Sequence, residues 1–151
     1  ELSPKPFTQA TLSPKLRDII DTRRVPGRVL VVEDETLIRM LATNYLEDAG
    51  FTVDGAGSAT EAMNKLALTH GGIDAVVIDM GLPDRRGDVL VNEIRALYPA
   101  LPVVLASGLS EMALRESFEG TRRIAYLTKP YGAADLLQAL GILGFRALTP
   151  N

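Results

Sequence analysis

An apolar run that ends abruptly on a carboxylate places the strongest constraint on this chain. Residues 73–78 form a short, largely β-branched stretch that begins after Gly71 and Gly72 and leads directly to Asp79. Such a run predicts a strand buried on both faces, as in a parallel sheet covered by helices. Ligands of these sheets bind outside the carboxyl ends of the strands. A lone Asp after a strand more often caps a helix or forms a turn, so Asp79 indicates a functional site only if other strands also end in reactive groups.

Four further strand-like runs alternate with helical patterns. The predicted strands are 29–32, 51–53, 73–78, 103–106 and 124–127, and the predicted helices are 36–49, 58–69, 88–98, 110–118 and 133–143. Strict alternation predicts a doubly wound α/β domain, in which helices cover both faces of a five-stranded parallel sheet. In the first helix, Leu37, Leu41 and Tyr45 are predicted to share one face, with Ile38 and Leu46 beside it.

The start of the chain has a different character from the rest. Four prolines and several Ser and Thr residues punctuate residues 1–27, which is typical of a linker. Within it, Ser13 precedes a proline at a suitable helix start, and Leu16, Ile19 and Ile20 form a narrow apolar stripe. A short amphipathic helix is marginal alone, so we expect it to pack on this domain or on a partner. The predicted boundaries are a linker over 1–27, a folded domain over 28–146 and a tail over 147–151.

Composition narrows the class of protein. With 46% hydrophobic residues in 151, the chain can bury the core of one domain, and a net charge of −3 disfavours a general nucleic-acid surface. The absence of cysteine excludes disulfides and thiolate metal sites. No apolar stretch is long enough to insert in a membrane and no signal peptide is visible, so we expect a cytoplasmic module.

Polar side chains follow several strands at the point where each strand ends. Glu33 and Asp34 follow the first strand, and Asp79 follows the third. Carboxylates held close together repel one another unless a cation lies among them. The ligands are oxygens, and the single histidine, His70, lies at a remote helix end. This set favours a hard ion such as Mg²⁺.

The fourth and fifth strands add groups that suit an anion. Ser107 offers a hydroxyl and Gly108 an open backbone N–H, while Lys129 follows the fifth strand as a positive charge. Carboxylates, a divalent ion, a lysine and a hydroxyl together predict a phosphoryl-transfer site in which a carboxylate is the nucleophile.

These fragments, in this order, resemble the receiver domain of two-component response regulators over roughly residues 28–145. The matching fragments are Val-Val-Glu33-Asp34-Glu35, Asp79-Met-Gly-Leu-Pro-Asp-Arg-Arg-Gly87, Ala106-Ser107-Gly108 and Tyr126-Leu-Thr-Lys129-Pro130. The resemblance implies a CheY-like, flavodoxin-like fold with strand order 2-1-3-4-5. It also implies that Asp79 accepts a phosphoryl group from the phosphohistidine of a sensor histidine kinase or a histidine phosphotransfer protein.

The resemblance assigns further roles around Asp79. Mg²⁺ is expected on Asp34 and Asp79, on Glu33 directly or through water, and on the backbone carbonyl of Gly81. The phosphoryl group would be held by the residues that follow the fourth and fifth strands, namely Lys129, Ser107 and the Gly108 N–H. The family's switch would be Ser107 moving towards the phosphate while Tyr126 turns inward. It would alter the surface made by the predicted helix 110–118, the fifth strand and the last helix.

Some positions depart from the common pattern of the family or refine it. Glu33 stands in place of Asp, Ser107 in place of Thr, and Tyr131 in place of Phe. Gly81 and Leu109 occupy positions that tune loss of the phosphoryl group, and glycine offers no side chain to orient water. We therefore expect the only catalysis to be phosphoryl transfer to the domain's own Asp and slow self-dephosphorylation. The resemblance also implies a cis peptide bond before Pro130.

Several questions stay open at this point. The nearby charges Asp84, Arg85, Arg86 and Asp88 are predicted to be solvated, with Arg85 or Arg86 available to a partner. The last helix is apolar beyond one stripe, so Leu137 and Ile142 are expected to meet either a second copy of the chain in a homodimer or the N-terminal helix.

Four functional interpretations compete with one another or differ in context. The start at Glu1 and the end at Asn151 favour the receiver of a hybrid sensor histidine kinase, with a stand-alone single-domain regulator as the alternative. A phosphorylation-independent binding module would usually lack the acceptor Asp, the acidic pair or the Lys. A flavodoxin-like cofactor binder would want a Gly/Ser/Thr-rich first turn where this chain has Glu33 and Asp34.

Overall fold

A parallel five-stranded sheet forms the centre of the computed structural model, which describes residues 27–108, 118 and 121–145. The strands are β1 (Arg28–Val32), β2 (Thr52–Ala56), β3 (Ala75–Asp79), β4 (Val103–Ser107) and β5 (Ile124–Thr128). Their order is β2-β1-β3-β4-β5, and all four pairings are parallel. The predicted strand order is confirmed.

Helices cover both faces of this sheet, as expected. Within the described residues they are α1 (Thr36–Asp48), α2 (Ala59–Thr69), α3 (Gly87–Leu97) and α4 (Ala133–Ile142). α1 and α4 bury apolar side chains in one core cluster, and α2 and α3 do so in the cluster on the opposite face. None of these helices is long and apolar enough to cross a membrane. The predicted helices near residues 13–24 and over 110–118 lie outside the described residues, except for the buried Phe118.

Only part of the predicted apolar surface of α1 packs in the core. Leu37 and Leu41 are 68% and 42% exposed, whereas Ala42 and Leu46 are buried against the sheet. The helix carries two apolar stripes, and the one with the small Ala42 packs into the core cluster shared with α4. With this side of the helix against the sheet, Leu37, Leu41 and Met40 are exposed, Met40 to 54%.

The second strand is longer than its sequence pattern suggested. It was expected over 51–53 but runs from Thr52 to Ala56. β2 is an edge strand that pairs only with β1 in the sheet, so its polar residues need not be buried. Asp54 uses its position there to form an ion pair with Arg28 at 2.6 Å.

The last helix has one strongly exposed apolar residue. Ile142 is 72% exposed, while Leu137 is partly buried against the core. Coverage of this surface by a second chain or by the N-terminal segment therefore stays a prediction.

The register of the sheet brings the ends of four strands to one edge. Val32 lies opposite Ile78, so the residue after β1 neighbours the last residue of β3. Asp79 in turn lies opposite Ala106, and Ser107 opposite Thr128. The chemical groups predicted from these strand ends must therefore share one crevice.

Candidate functional site

Three carboxylates meet at the carboxyl edge of the sheet. Glu33, Asp34 and Asp79 each place a carboxylate oxygen within 4.8 Å of the others. Glu33 and Asp79 are only 3% and 6% exposed, whereas Asp34 faces solvent. They line an open cavity of about 360 Å³. The sequence prediction that these three side chains converge is confirmed.

Backbone contacts hold Glu33 in place. Its N–H donates to the Ala56 carbonyl at 2.9 Å, and its own carbonyl accepts a 2.6 Å hydrogen bond from Arg39 Nη1. Its carboxylate accepts the Glu35 N–H at 3.1 Å. Glu33 is thus fixed at its amide, its carbonyl and its side chain.

Arg39 is a supporting residue that the sequence reasoning missed. Its side chain passes so close to β2 that a Cβ at Gly55 would lie 3.3 Å from its Cδ, and one at Gly57 would lie 3.4 Å from its Nη1. A Gly-x-Gly pattern at the end of a predicted strand was the available signal, but nothing local connects it to an arginine in the preceding helix.

The loop after Asp79 closes tightly on itself. Met80 donates its N–H to Ala106 and accepts the Gly87 N–H, both at 2.8 Å. A Cβ at Gly87 would lie 2.5 Å from the Asp79 carbonyl oxygen, so only glycine fits there without a shift. Both ends of this loop are therefore fixed beside Asp79.

Lys129 bridges the two buried carboxylates. Its Nζ lies 3.0 Å from Asp79 Oδ1 and 3.4 Å from Glu33 Oε1. The Lys129–Pro130 peptide bond that follows is cis, as the resemblance implied. Burial lowers the pKa of Lys129. The hydrogen bond and negative charge of Asp79, together with Glu33, outweigh this effect and raise the pKa of Lys129 above its ordinary value.

One lysine does not balance three carboxylates. Burial is the largest effect on Glu33 and raises the pKa of its carboxyl, and the neighbouring charge of Asp79 acts in the same direction. A hard divalent cation would relieve this excess of negative charge, and the oxygen-only donor set suits such an ion. The residues present fit a magnesium site.

Polar groups from β4 line the same cavity. Ser107 is 2% exposed at the end of β4, and Gly108 follows it at the exposed rim. Gly81 also lines this cavity. The structure therefore brings together every predicted phosphoryl- or metal-contacting residue, which are Glu33, Asp34, Asp79, Gly81, Ser107, Gly108 and Lys129.

Tyr126 lies apart from this group. It is half-buried on β5, packs against the core and lines a neighbouring cavity of about 550 Å³ between β5 and α4. Leu109, the other position expected to tune loss of the phosphoryl group, lies outside the described residues.

An apolar cavity of about 300 Å³ adjoins the carboxylate site. Ile38, Leu41 and Tyr45 of α1 form one wall, and Lys129 and Tyr131 belong to the other. Burial raises the pKa of Tyr131 to about 12, so its hydroxyl stays neutral at physiological pH. Because Lys129 lines both cavities, a molecule bound in the apolar cavity would lie beside the carboxylate site.

Comparison with known proteins yields one consistent result. A model of the response regulator receiver domain matches residues 29–141. The chain is 38% identical over 128 residues to the transcriptional regulatory protein PdtaR of Mycobacterium tuberculosis, covering 83% of this chain and 61% of that protein. It is 32% identical over 108 residues to the sensor kinase CckA of Brucella abortus, covering 72% of this chain and 11% of the kinase.

A solved structure adds a likeness in fold. The response regulator TrrA of Thermotoga maritima, determined in complex with Mg²⁺ and BeF, superposes with a TM-score of 0.67 at 27% identity. The match covers 78% of this chain and 98% of TrrA. The chain spans less than two thirds of the length of either curated relative.

The charge imbalance in the site predicts a stability effect. Lys129→Met leaves Glu33 and Asp79 without their shared cation and should lower the free energy of unfolding by about 1–3 kcal/mol at pH 7 in EDTA. Lys65→Met, at a half-buried lysine of α2, is the matched control and should change it by less than about 0.5 kcal/mol. Urea unfolding measures both, and equal stability of Lys129→Met and wild type would contradict the electrostatic account.

Proposed function

The chain belongs to the response regulator receiver domain family of two-component signalling, and from this membership we propose that Asp79 is its phosphoacceptor. One observation carries the proposal. Asp79 is a buried carboxylate at the end of a central strand, held by Lys129 and flanked by two further carboxylates. This combination suits a nucleophile that must become a mixed anhydride with phosphate.

In the proposed reaction, an Asp79 oxygen attacks phosphorus of a phosphohistidine. The new O–P bond forms as the P–N bond breaks, and the electron pair of that bond returns to the imidazole ring. Charge on the transferred group must be balanced while both bonds are partial. Lys129 supplies one positive charge, because its Nζ already lies 3.0 Å from the attacking carboxylate.

The phosphoryl oxygens would meet three groups of the chain. Lys129 pairs with one oxygen, and Ser107 with the backbone N–H of Gly108 receives another. All three residues line the same cavity as Asp79. Movement of Ser107 towards the phosphate, with Tyr126 turning inward, would alter the surface formed by β5 and α4.

We propose that Mg²⁺ binds at the carboxylates. Asp34, Asp79 and the Gly81 carbonyl would hold it, and Glu33 would act directly or through a water molecule. A bound divalent cation neutralises charge on the phosphoryl oxygens. The acidic cluster supports this assignment, as does the Mg²⁺ complex of the related TrrA.

The phosphodonor would dock on an apolar surface next to the site. Leu37, Met40 and Leu41 form an exposed group on α1, called here the α1 patch. Leu41 also lines the apolar cavity that reaches Lys129, so the α1 patch is continuous with the reactive site. A sensor histidine kinase or a histidine phosphotransfer protein that covers this patch would bring its phosphohistidine to Asp79.

Two contexts remain for the domain. The likeness to the sensor kinase CckA supports a receiver within a hybrid histidine kinase, and the alternative is a stand-alone single-domain response regulator. Sequencing of the parent gene on both sides of this segment distinguishes them. A homodimer through α4 or the N-terminal segment stays a prediction.

Phosphorylation of Asp79 can be measured directly. Incubation with acetyl phosphate and Mg²⁺ should give one phosphoryl adduct by intact mass spectrometry, because the site supplies both nucleophile and charge balance. The adduct should be absent in Asp79→Asn and strongly reduced in EDTA. No adduct on the wild-type chain under any metal condition would favour a phosphorylation-independent binding module.

The role of the α1 patch is tested by separating two donors. The phosphodonor is a phosphorylated histidine phosphotransfer domain that is active on the wild type. Leu37→Asp should slow phosphoryl transfer from this donor by about tenfold, because the substitution places a charge in an apolar interface. Its rate with acetyl phosphate should stay unchanged. Leu97→Asp on α3 is the matched control, since Leu97 is 64% exposed and Leu37 68%. Equal slowing by both variants would refute docking at the patch.

A further inference from the structure

Asp84 ties the loop after β3 to the start of α2. Its Oδ1 accepts the Ala59 N–H and its Oδ2 accepts the Thr60 N–H, both at 2.9 Å. The side chain is exposed, in line with the solvated charge predicted at this position, but its two hydrogen bonds were not predicted. The contact joins residues 24 and 25 positions apart, so no local pattern could indicate it.

Side-chain oxygens accept the first N–H groups of α2. Ser58 Oγ accepts the Glu61 N–H at 3.1 Å, so with Asp84 the first three N–H groups of the helix all have partners. Glu61 in turn accepts the Gly57 N–H at 2.8 Å. The helix N-terminus favours a negative charge at this place. These N–H donors hold the pKa of the Asp84 carboxyl well below its usual range, so Asp84 stays ionised at physiological pH.

The same loop carries the Gly81 carbonyl. Its two ends are joined by the hydrogen bond from Gly87 to Met80, directly beside Asp79. Between them, Gly81 lines the cavity of the carboxylate site. Asp84 lies midway along the loop and attaches it to a different element of the fold. An ion pair of Arg85 with Glu93 at 3.0 Å adds a contact to α3.

We propose that Asp84 is a positioning residue for the metal site, which holds the loop so that the Gly81 carbonyl is ready to bind the cation. The inference rests on the proposed magnesium site. A loop ordered before the cation arrives loses less conformational freedom on binding, so affinity is higher. Groups that orient metal ligands without touching the metal typically change affinity by about tenfold or more when removed.

The test compares Mg²⁺ affinity in matched variants. Metal-free protein is titrated with MgCl₂, and amide chemical shifts give the dissociation constant at a temperature well below unfolding. Asp84→Ala should raise that constant about tenfold. Asp84→Asn, which keeps one acceptor oxygen, should give an intermediate value and serves if the alanine variant folds poorly.

Asp88→Asn is the control for charge. It removes the same charge four positions away, but Asp88 bonds only locally among the described residues, to Arg86 at 3.1 Å and to the Val89 N–H at 2.9 Å. The Mg²⁺ dissociation constant of Asp88→Asn should stay within about twofold of the wild-type value, because the hydrogen bonds between Asp84 and α2 are kept. Urea unfolding of each variant reports separately on stability.

The possible failures can be told apart. Wild-type Mg²⁺ affinity in Asp84→Ala, with only stability reduced, would show a purely structural cap and overturn the inference. Equal weakening in Asp88→Asn would assign the effect to charge alone and overturn it as well. A wild-type chain that binds no Mg²⁺ would refute the metal site itself, and the inference with it.

Discussion

The repulsion between carboxylates at one sheet edge is the interaction on which the site depends. Glu33 and Asp79 are buried, share the single amine of Lys129, and have Asp34 as a third acidic neighbour. Burial makes each charge costly, and one lysine leaves the group negative. The described carboxylates therefore form an electronegative site whose oxygen donors suit a cation.

The parallel register of the sheet makes this gathering of charge possible. Neighbouring strands end level with one another, so residues distant in sequence emerge side by side. The adjoining loops are then fixed by contacts outside the sheet. Arg39 holds the backbone at Glu33, Gly87 closes the loop after Asp79, and Asp84 ties that loop to α2. The site is thus supported by both helical layers.

Sequence reasoning found the site because its reactive groups lie at the ends of recognisable strands. Asp79 and Lys129 could be placed from apolar runs and alternation alone. Arg39 and Asp84 could not, because each acts through a backbone group in another element. The sequence also did not show which part of the apolar surface of α1 is buried, since Ala42 and Leu46 pack in the core whereas the more apolar Leu41 stays 42% exposed. Periodicity detects an apolar stripe but does not show which of two stripes meets the core.

A crystal structure of the chain with Mg²⁺ and beryllofluoride tests the central claim most directly. We expect one Mg²⁺ bound by Asp34, Asp79 and the Gly81 carbonyl at about 2.1 Å. We expect the beryllofluoride to be bound to Asp79, within reach of Lys129. A cation bound away from these carboxylates, or a fluoride group on any other residue, would contradict the claim.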